Sequence, residues 1–158
     1  MPSGPLREPV EAGLTRADVL VTIGLEAAQS RFQETWGGGV TVPRATGHLS
    51  VLETGMDWAG LRVLAFAGIG RPEKFFATLR DLGADVVRTQ ALDDHQALSV
   101  ALLKRLEVEA AGLSAQLVTT EKDAVRLPQS FRPKVLTVPV RLDMDDDKAL
   151  TEALSRIV

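Results

Sequence analysis

Three short stretches carry residue types that can do chemistry. Asp93-Asp94-His95-Gln96 sets carboxylates beside an imidazole. A carboxylate orients such a ring and holds its proton, and an imidazole with an ordinary pKa of about 6.5 exchanges protons near neutrality. The same residues also suit the start of a helix, with Asp93 or Asp94 as cap and His95 in the exposed first turn. Thr119-Thr120-Glu121-Lys122-Asp123 gathers hydroxyls, an amine and carboxylates, groups that bind a phosphate, a ribose or the shell of a magnesium ion. These residues equally suit a helix start, with Thr119 or Thr120 as cap and Glu121 and Asp123 at the positive end. Gly68-Ile69-Gly70-Arg71-Pro72-Glu73-Lys74 is a glycine turn that opens into a helix amino end. Its backbone can approach a ligand closely, or it can simply turn the chain from strand to helix. Glu73 stands where a dinucleotide fingerprint needs a small residue and a phosphate loop needs glycine followed by Lys-Ser/Thr, so neither motif is present.

Two further groups stand apart from these stretches. Gly4-Pro5-Leu6-Arg7-Glu8-Pro9 holds an arginine and a glutamate between prolines that stiffen the segment. Arg7 suits bidentate grip on a phosphate, and Glu8 suits a metal or an arginine. A surface ion pair worth less than about 1 kcal/mol is the plainer account. His48 reads as a solvated histidine in a turn.

The elements that must position these residues follow from the apolar pattern. Ala17 to Ile23 is a β-branched run suited to a buried strand, Leu25 to Thr35 has helical composition, and Gly37-Gly38-Gly39 stops that helix. Val40 to Pro43 and His48 to Thr54 alternate apolar and polar residues around Gly47, as a two-stranded ribbon does. From Leu61 onward, Arg62 to Ala67, Ala84 to Thr89, Ala115 to Thr120 and Lys134 to Val140 are strand-like. Helices fall between them. Pro72 opens one that carries Phe75, Phe76, Leu79 and Leu82 and ends at Gly83. Another begins near Asp93 or Asp94 with Leu98, Leu102 and Leu106 on one face, and Asp145 to Asp147 start the last. Such alternation predicts an α/β fold with a largely parallel sheet covered by helices on both faces. Ligands of such sheets bind beyond the carboxyl ends of the strands, where all three stretches lie. A single strong strand before the ribbon cannot close a core, which leads to the expectation of a missing upstream piece.

Composition narrows the classes. With 158 residues the chain can bury roughly two-thirds of its unfolded surface and needs no staple. It has no cysteine, which excludes disulfides, thiolate metal sites and sulfur nucleophiles. The net charge of -3 arises from interspersed acids and bases, so no basic face is set against a phosphate backbone and nucleic-acid binding is disfavoured. No apolar run reaches the roughly 18 residues of a membrane span, and the amino end lacks the layout of a secretory signal.

Taken in order, Gly4 to Glu8, Ala65 to Phe76, Asp94-His95 and Thr119 to Pro128 resemble the tetraacyldisaccharide 4'-kinase family over nearly the whole chain. The resemblance implies a P-loop-class protein of two α/β domains joined by a β-ribbon. Residues 1–43 would be a remnant of the nucleotide-binding domain, 44–60 the ribbon linker and 61–158 the carboxyl-terminal domain. It implies ATP and Mg2+ as cofactors and the 4'-hydroxyl of a lipid A disaccharide precursor as acceptor. The setting implied is cytoplasmic and peripheral to the inner membrane face. His95, beside Asp94, would be catalytic, acting on an aspartate of the first domain. Arg7 and Glu8 would lie at the active-site cleft, with Gly68, Gly70, Thr120, Glu121, Lys122 and Asp123 as further cleft candidates and no metal ligand assigned. The glycine-rich loop with Lys-Ser/Thr, the acidic metal motif and the catalytic aspartate have no counterpart here. The expectation is therefore a truncated or split kinase whose partner is the missing amino-terminal segment, inactive alone; the alternative is a stand-alone nucleotide or sugar-phosphate binding module.

Overall fold

The computed structural model describes residues 8–93 and 96–157. In chain order the elements are α1 (Val10–Leu14), β1 (Leu20–Ile23), α2 (Glu26–Trp36), β2 (Arg44–Val51), β3 (Arg62–Ala67), α3 (Pro72–Asp81), β4 (Asp85–Ala91), α4 (Val100–Gly112), β5 (Gln116–Thr120), α5 (Glu121–Ala124), β6 (Val135–Val138), β7 (Val140–Asp146) and α6 (Lys148–Leu154). They form two compact units, Val51–Val140 and a second made of Met1–Ser50 with Arg141–Val158. The sequence division carried the carboxyl-terminal domain through to residue 158; by its packing, the stretch from Arg141 onward groups with the early residues instead.

The unit Val51–Val140 is a parallel sheet in the order β4-β3-β5-β6. Central β3 explains the arrangement. Its alternate residues Val63, Ala65 and Ala67 pack with Phe75, Phe76 and Leu79 of α3. Leu64 and Phe66 point the other way, into a layer with Leu103 and Leu106 of α4. A strand buried on both faces needs a continuous apolar run, which Val63–Ala67 supplies. Pro72 opens α3, as its missing N–H and fixed φ suit a first helical position. At the other end Gly83, with φ +88°, takes the left-handed conformation, while the N–H groups of Gly83 and Ala84 return to the carbonyls of Arg80 and Leu79.

One expected boundary moves. α4 does not begin near Asp93 but at Val100, where Ser99 accepts the N–H of Leu102 at 3.2 Å. A serine hydroxyl caps as well as a carboxylate does, and the carbonyl and N–H of Asp93 are committed to Gln96.

In the other unit the sheet order is β1-β2-β7, with β1 and β2 parallel and Ile23 opposite Gly47. The ribbon is assembled differently from the expected local hairpin. Residues 44–51 form one strand, and its second neighbour, β7, comes from far along the chain. Ser50 bonds Asp143 and His48 bonds Asp145, so position rises on one strand as it falls on the other, the antiparallel sense. Gly47 is not a turn residue. A Cβ there would stand 2.6 Å from the carbonyl oxygen of Asp143, so the glycine permits close backbone approach within the sheet. His48, expected to be solvated in a turn, instead holds Asp145 at 2.9 Å through Nδ1.

This ribbon carries a pH-sensitive bond. The Ser50 hydroxyl donates to Asp143 and, with the positive charge of Arg141, holds its carboxyl below the ordinary 3.8. Ser50→Ala is expected to raise the Asp143 pKa toward that value. Because the folded-state pKa is depressed, the bond contributes stability above the unfolded-state pKa and loses it as pH falls through the folded value. The stability difference between variant and parent should therefore be largest near neutral pH and shrink in acid. Carboxyl 13C titration with urea unfolding at several pH values checks this, and an unmoved Asp143 midpoint would refute it.

Candidate functional site

Parallel pairing aligns the carboxyl ends of three strands. Ala67 of β3 stands opposite Ala91 of β4, and Ala65 opposite Val118 of β5. The chain segments that leave these strands therefore emerge at one edge of the Val51–Val140 unit, and they are the stretches singled out by residue type.

Asp123 is the centre of this edge. It is fully buried, and its carboxylate serves three donors. Oδ2 accepts the Gly68 N–H at 2.9 Å and the Thr120 hydroxyl at 2.8 Å. Oδ1 accepts an N–H of the Arg126 guanidinium at 3.2 Å. Thr120 also caps α5, its Oγ1 accepting the Asp123 N–H at 3.2 Å. Thr119, buried beside it, donates to the Phe66 carbonyl at 2.7 Å and so ties β5 to β3. Gly68 fits this arrangement closely. A Cβ at that position would lie 3.2 Å from Asp123 Oδ1 and 3.4 Å from the Asp93 carbonyl oxygen.

The remaining candidates are less enclosed. Gly70 is exposed, and a Cβ there would meet nothing within 4 Å, so no close packing requires a glycine at that point. Glu121 accepts the Val140 N–H at 3.1 Å, and Lys122 lies exposed in the first turn of α5. Glu8 belongs to the other unit, where Arg16 grips both its carboxylate oxygens. Hydrogen bonding from Arg16 lowers the Glu8 pKa below 4.5 and raises that of Arg16. Arg7, Asp94 and His95 lie outside the described residues. The structure thus brings together Gly68, Thr120 and Asp123 with the backbone of Asp93 and Gln96.

Sequence reasoning missed Arg126 and Gln96. Arg126 follows Asp123 by three residues, one helical turn, and that spacing was the available signal. Its second N–H group reaches the Gln96 carbonyl.

These residues do not fit a magnesium shell. Both oxygens of Asp123 are engaged by protein donors, and no cluster of three or more metal-ligating side chains occurs among the described residues. Nor does any helix among the described residues have the length and apolarity to cross a membrane.

Comparison with known proteins bears on all of this. The chain is 57% identical over 158 residues to a tetraacyldisaccharide 4'-kinase of Jannaschia sp. (strain CCS1), covering all of this chain and 48% of that protein. It is also 57% identical to the one of Dinoroseobacter shibae, covering 99% of this chain and 47% of that protein. The chain thus spans about half the length of the curated relatives it matches. In fold it is similar to a crystal structure of the apo form of LpxK from Aquifex aeolicus in complex with ATP, with TM-score 0.62, 21% identity and coverage of 96% of this chain and 46% of that one. The family model described as tetraacyldisaccharide-1-P 4'-kinase matches residues 1–158, and the chain belongs to that family.

Proposed function

We propose that this chain is the carboxyl-terminal part of an ATP-dependent kinase that phosphorylates the 4'-hydroxyl of a tetraacyldisaccharide 1-phosphate, a lipid A precursor. The observation that carries the proposal is the family match across the whole chain. Within the reaction, His95 orients or polarises a carboxylate from another segment as that group takes the proton of the sugar hydroxyl, and Asp94 steadies the ring. Arg7 offsets phosphate charge. ATP and Mg2+ are held by an upstream segment of the same kinase, since the glycine-rich loop is absent from this sequence, Asp123 is engaged by protein donors, and no cluster of three or more metal-ligating side chains occurs among the described residues. Membrane contact is peripheral, on the cytoplasmic face, and made by that other segment.

In this reading Gly68, Thr120 and Asp123 fix the strand ends of the Val51–Val140 unit and, through Asp93 and Gln96, the stretch that carries the reacting groups in sequence. Phosphoryl transfer relies on positioning and charge stabilisation more than on covalent help from the protein. A buried carboxylate that joins two strand ends suits that framing role.

The test supplies ATP, magnesium and the disaccharide 1-phosphate to this chain and to a version extended to the length of its relatives. The extended version is expected to form the bis-phosphorylated product, read by mass spectrometry, and the chain alone to form none. No product from the extended version would defeat the proposal. Micromolar binding of ATP by this chain alone, read by calorimetry, would favour a stand-alone binding module instead.

A further inference from the structure

We infer that Arg126 is a positioning residue, fixing the Asp93–Gln96 stretch to the buried Asp123 and thereby setting where Asp94 and His95 stand. The guanidinium uses separate nitrogens for its two partners. One donates to Asp123 Oδ1 at 3.2 Å and another to the Gln96 carbonyl oxygen. Gln96 is in turn tied to Asp93. Its N–H donates to the Asp93 carbonyl at 2.9 Å, and its side-chain oxygen accepts the Asp93 N–H at 3.0 Å.

The other end of the stretch is anchored to β3. The Leu92 N–H donates to the Ala67 carbonyl at 2.9 Å, and the Asp93 carbonyl packs over Gly68. Gly68 itself donates to Asp123. The links therefore close a ring through Gly68, Asp123, Arg126, Gln96 and Asp93. In sequence, Asp94 and His95 fall between the two anchored residues Asp93 and Gln96.

A simpler role for Arg126 would be to neutralise Asp123 and nothing more. Lysine separates the two. It keeps the positive charge opposite Asp123, but its single nitrogen does not reproduce a planar fork whose separate nitrogens serve two acceptors. Arg126→Lys should therefore fold as the parent does while releasing Gln96, which a pure neutralising role would not allow.

The first arm needs only this chain. Its two histidines, His48 and His95, give ring signals that a His48→Gln variant assigns. In Arg126→Lys the His95 ring signal and the Gln96 amide are expected to shift, while the methyl signals of Leu64 and Leu106 in the core stay in place. Unmoved His95 and Gln96 signals in that variant would overturn the inference, and Arg126→Ala, with a larger shift, would support it.

The catalytic consequence rests on the kinase reading above. In the extended enzyme Arg126→Lys is expected to lower kcat roughly tenfold or more, with KM for ATP unchanged, because misplacing a catalytic group by about 1 Å has effects of that order. A severe loss in His95→Gln with none in Arg126→Lys would overturn the positioning role. Silence in His95→Gln would instead remove His95 from the reaction, and the structural tie would then stand or fall on the His95 ring and Gln96 amide signals alone.

Discussion

In the enzyme extended to the length of its relatives, His95→Gln is expected to lower kcat by about 10²- to 10⁴-fold, the range that a positioned general base contributes, because the carboxylate that takes the proton loses the ring that orients it. At about 1.4 kcal/mol per factor of ten, the loss corresponds to roughly 3–6 kcal/mol of transition-state stabilisation. Glutamine matches the imidazole in reach and keeps a hydrogen-bonding group, so substrate binding should change little. It cannot carry the charge with which an imidazole polarises that carboxylate near neutrality, so the loss should fall on kcat rather than KM. The pH profile separates this role from a packing role. The parent's kcat should show an inflection in the range where an imidazole titrates, and His95→Gln should lack it. Steady-state kinetics between pH 5 and 9 make the measurement. Equal kcat values with the inflection retained would remove His95 from the mechanism. The residues on either side of the Asp94-His95 pair in sequence, Asp93 and Gln96, are held at the edge where β3, β4 and β5 end.

Much of the fold was legible because its signals are local. The run Val63–Ala67 is apolar at every position, which only a strand covered on both faces needs, and Pro72 and Gly83 bracket α3 by backbone geometry alone. Pairing between β2 and β7 was not legible. β7 does alternate, with Leu142 and Met144 against Arg141, Asp143 and Asp145, but its acidic end also matches the start of a helix. Only the partner strand, roughly ninety residues away, decides between them, and neither sequence announces the other.

The candidate site was legible in residue type and less so in role. Thr120 and Asp123 read equally well as ligand groups and as a helix start. In the structure Thr120 is the cap, and Asp123 is a buried acceptor for a glycine N–H 55 residues away. Local spacing announces a cap because its partners lie within one turn. It says nothing of Gly68, or of the carbonyl that Arg126 reaches 30 residues back.

Asp123→Ala is expected to destabilise the chain by about 3 kcal/mol, the lower end of the 3–5 kcal/mol seen when one partner of a buried ion pair is removed. The substitution leaves the Gly68 N–H without its acceptor in a buried turn, and a buried donor left unmade costs about 1–3 kcal/mol by itself. The Arg126 guanidinium also loses its counter-charge, but its side chain is 27% exposed, so water meets part of its need and holds the total near the lower bound. Thr120→Val is the informative comparison. It removes the cap and one of the carboxylate's donors while leaving Gly68 and Arg126 served, and should cost only about 1 kcal/mol. Urea unfolding with a shared m-value reads both. If Asp123→Ala shifts the midpoint no further than Thr120→Val does, the carboxylate is not the element that holds the strand ends together. Given total stabilities of about 5–15 kcal/mol, the larger shift should also bring early loss of structure on heating. That loss should appear first at the Gly68 amide, because its hydrogen bond ends on the missing carboxylate.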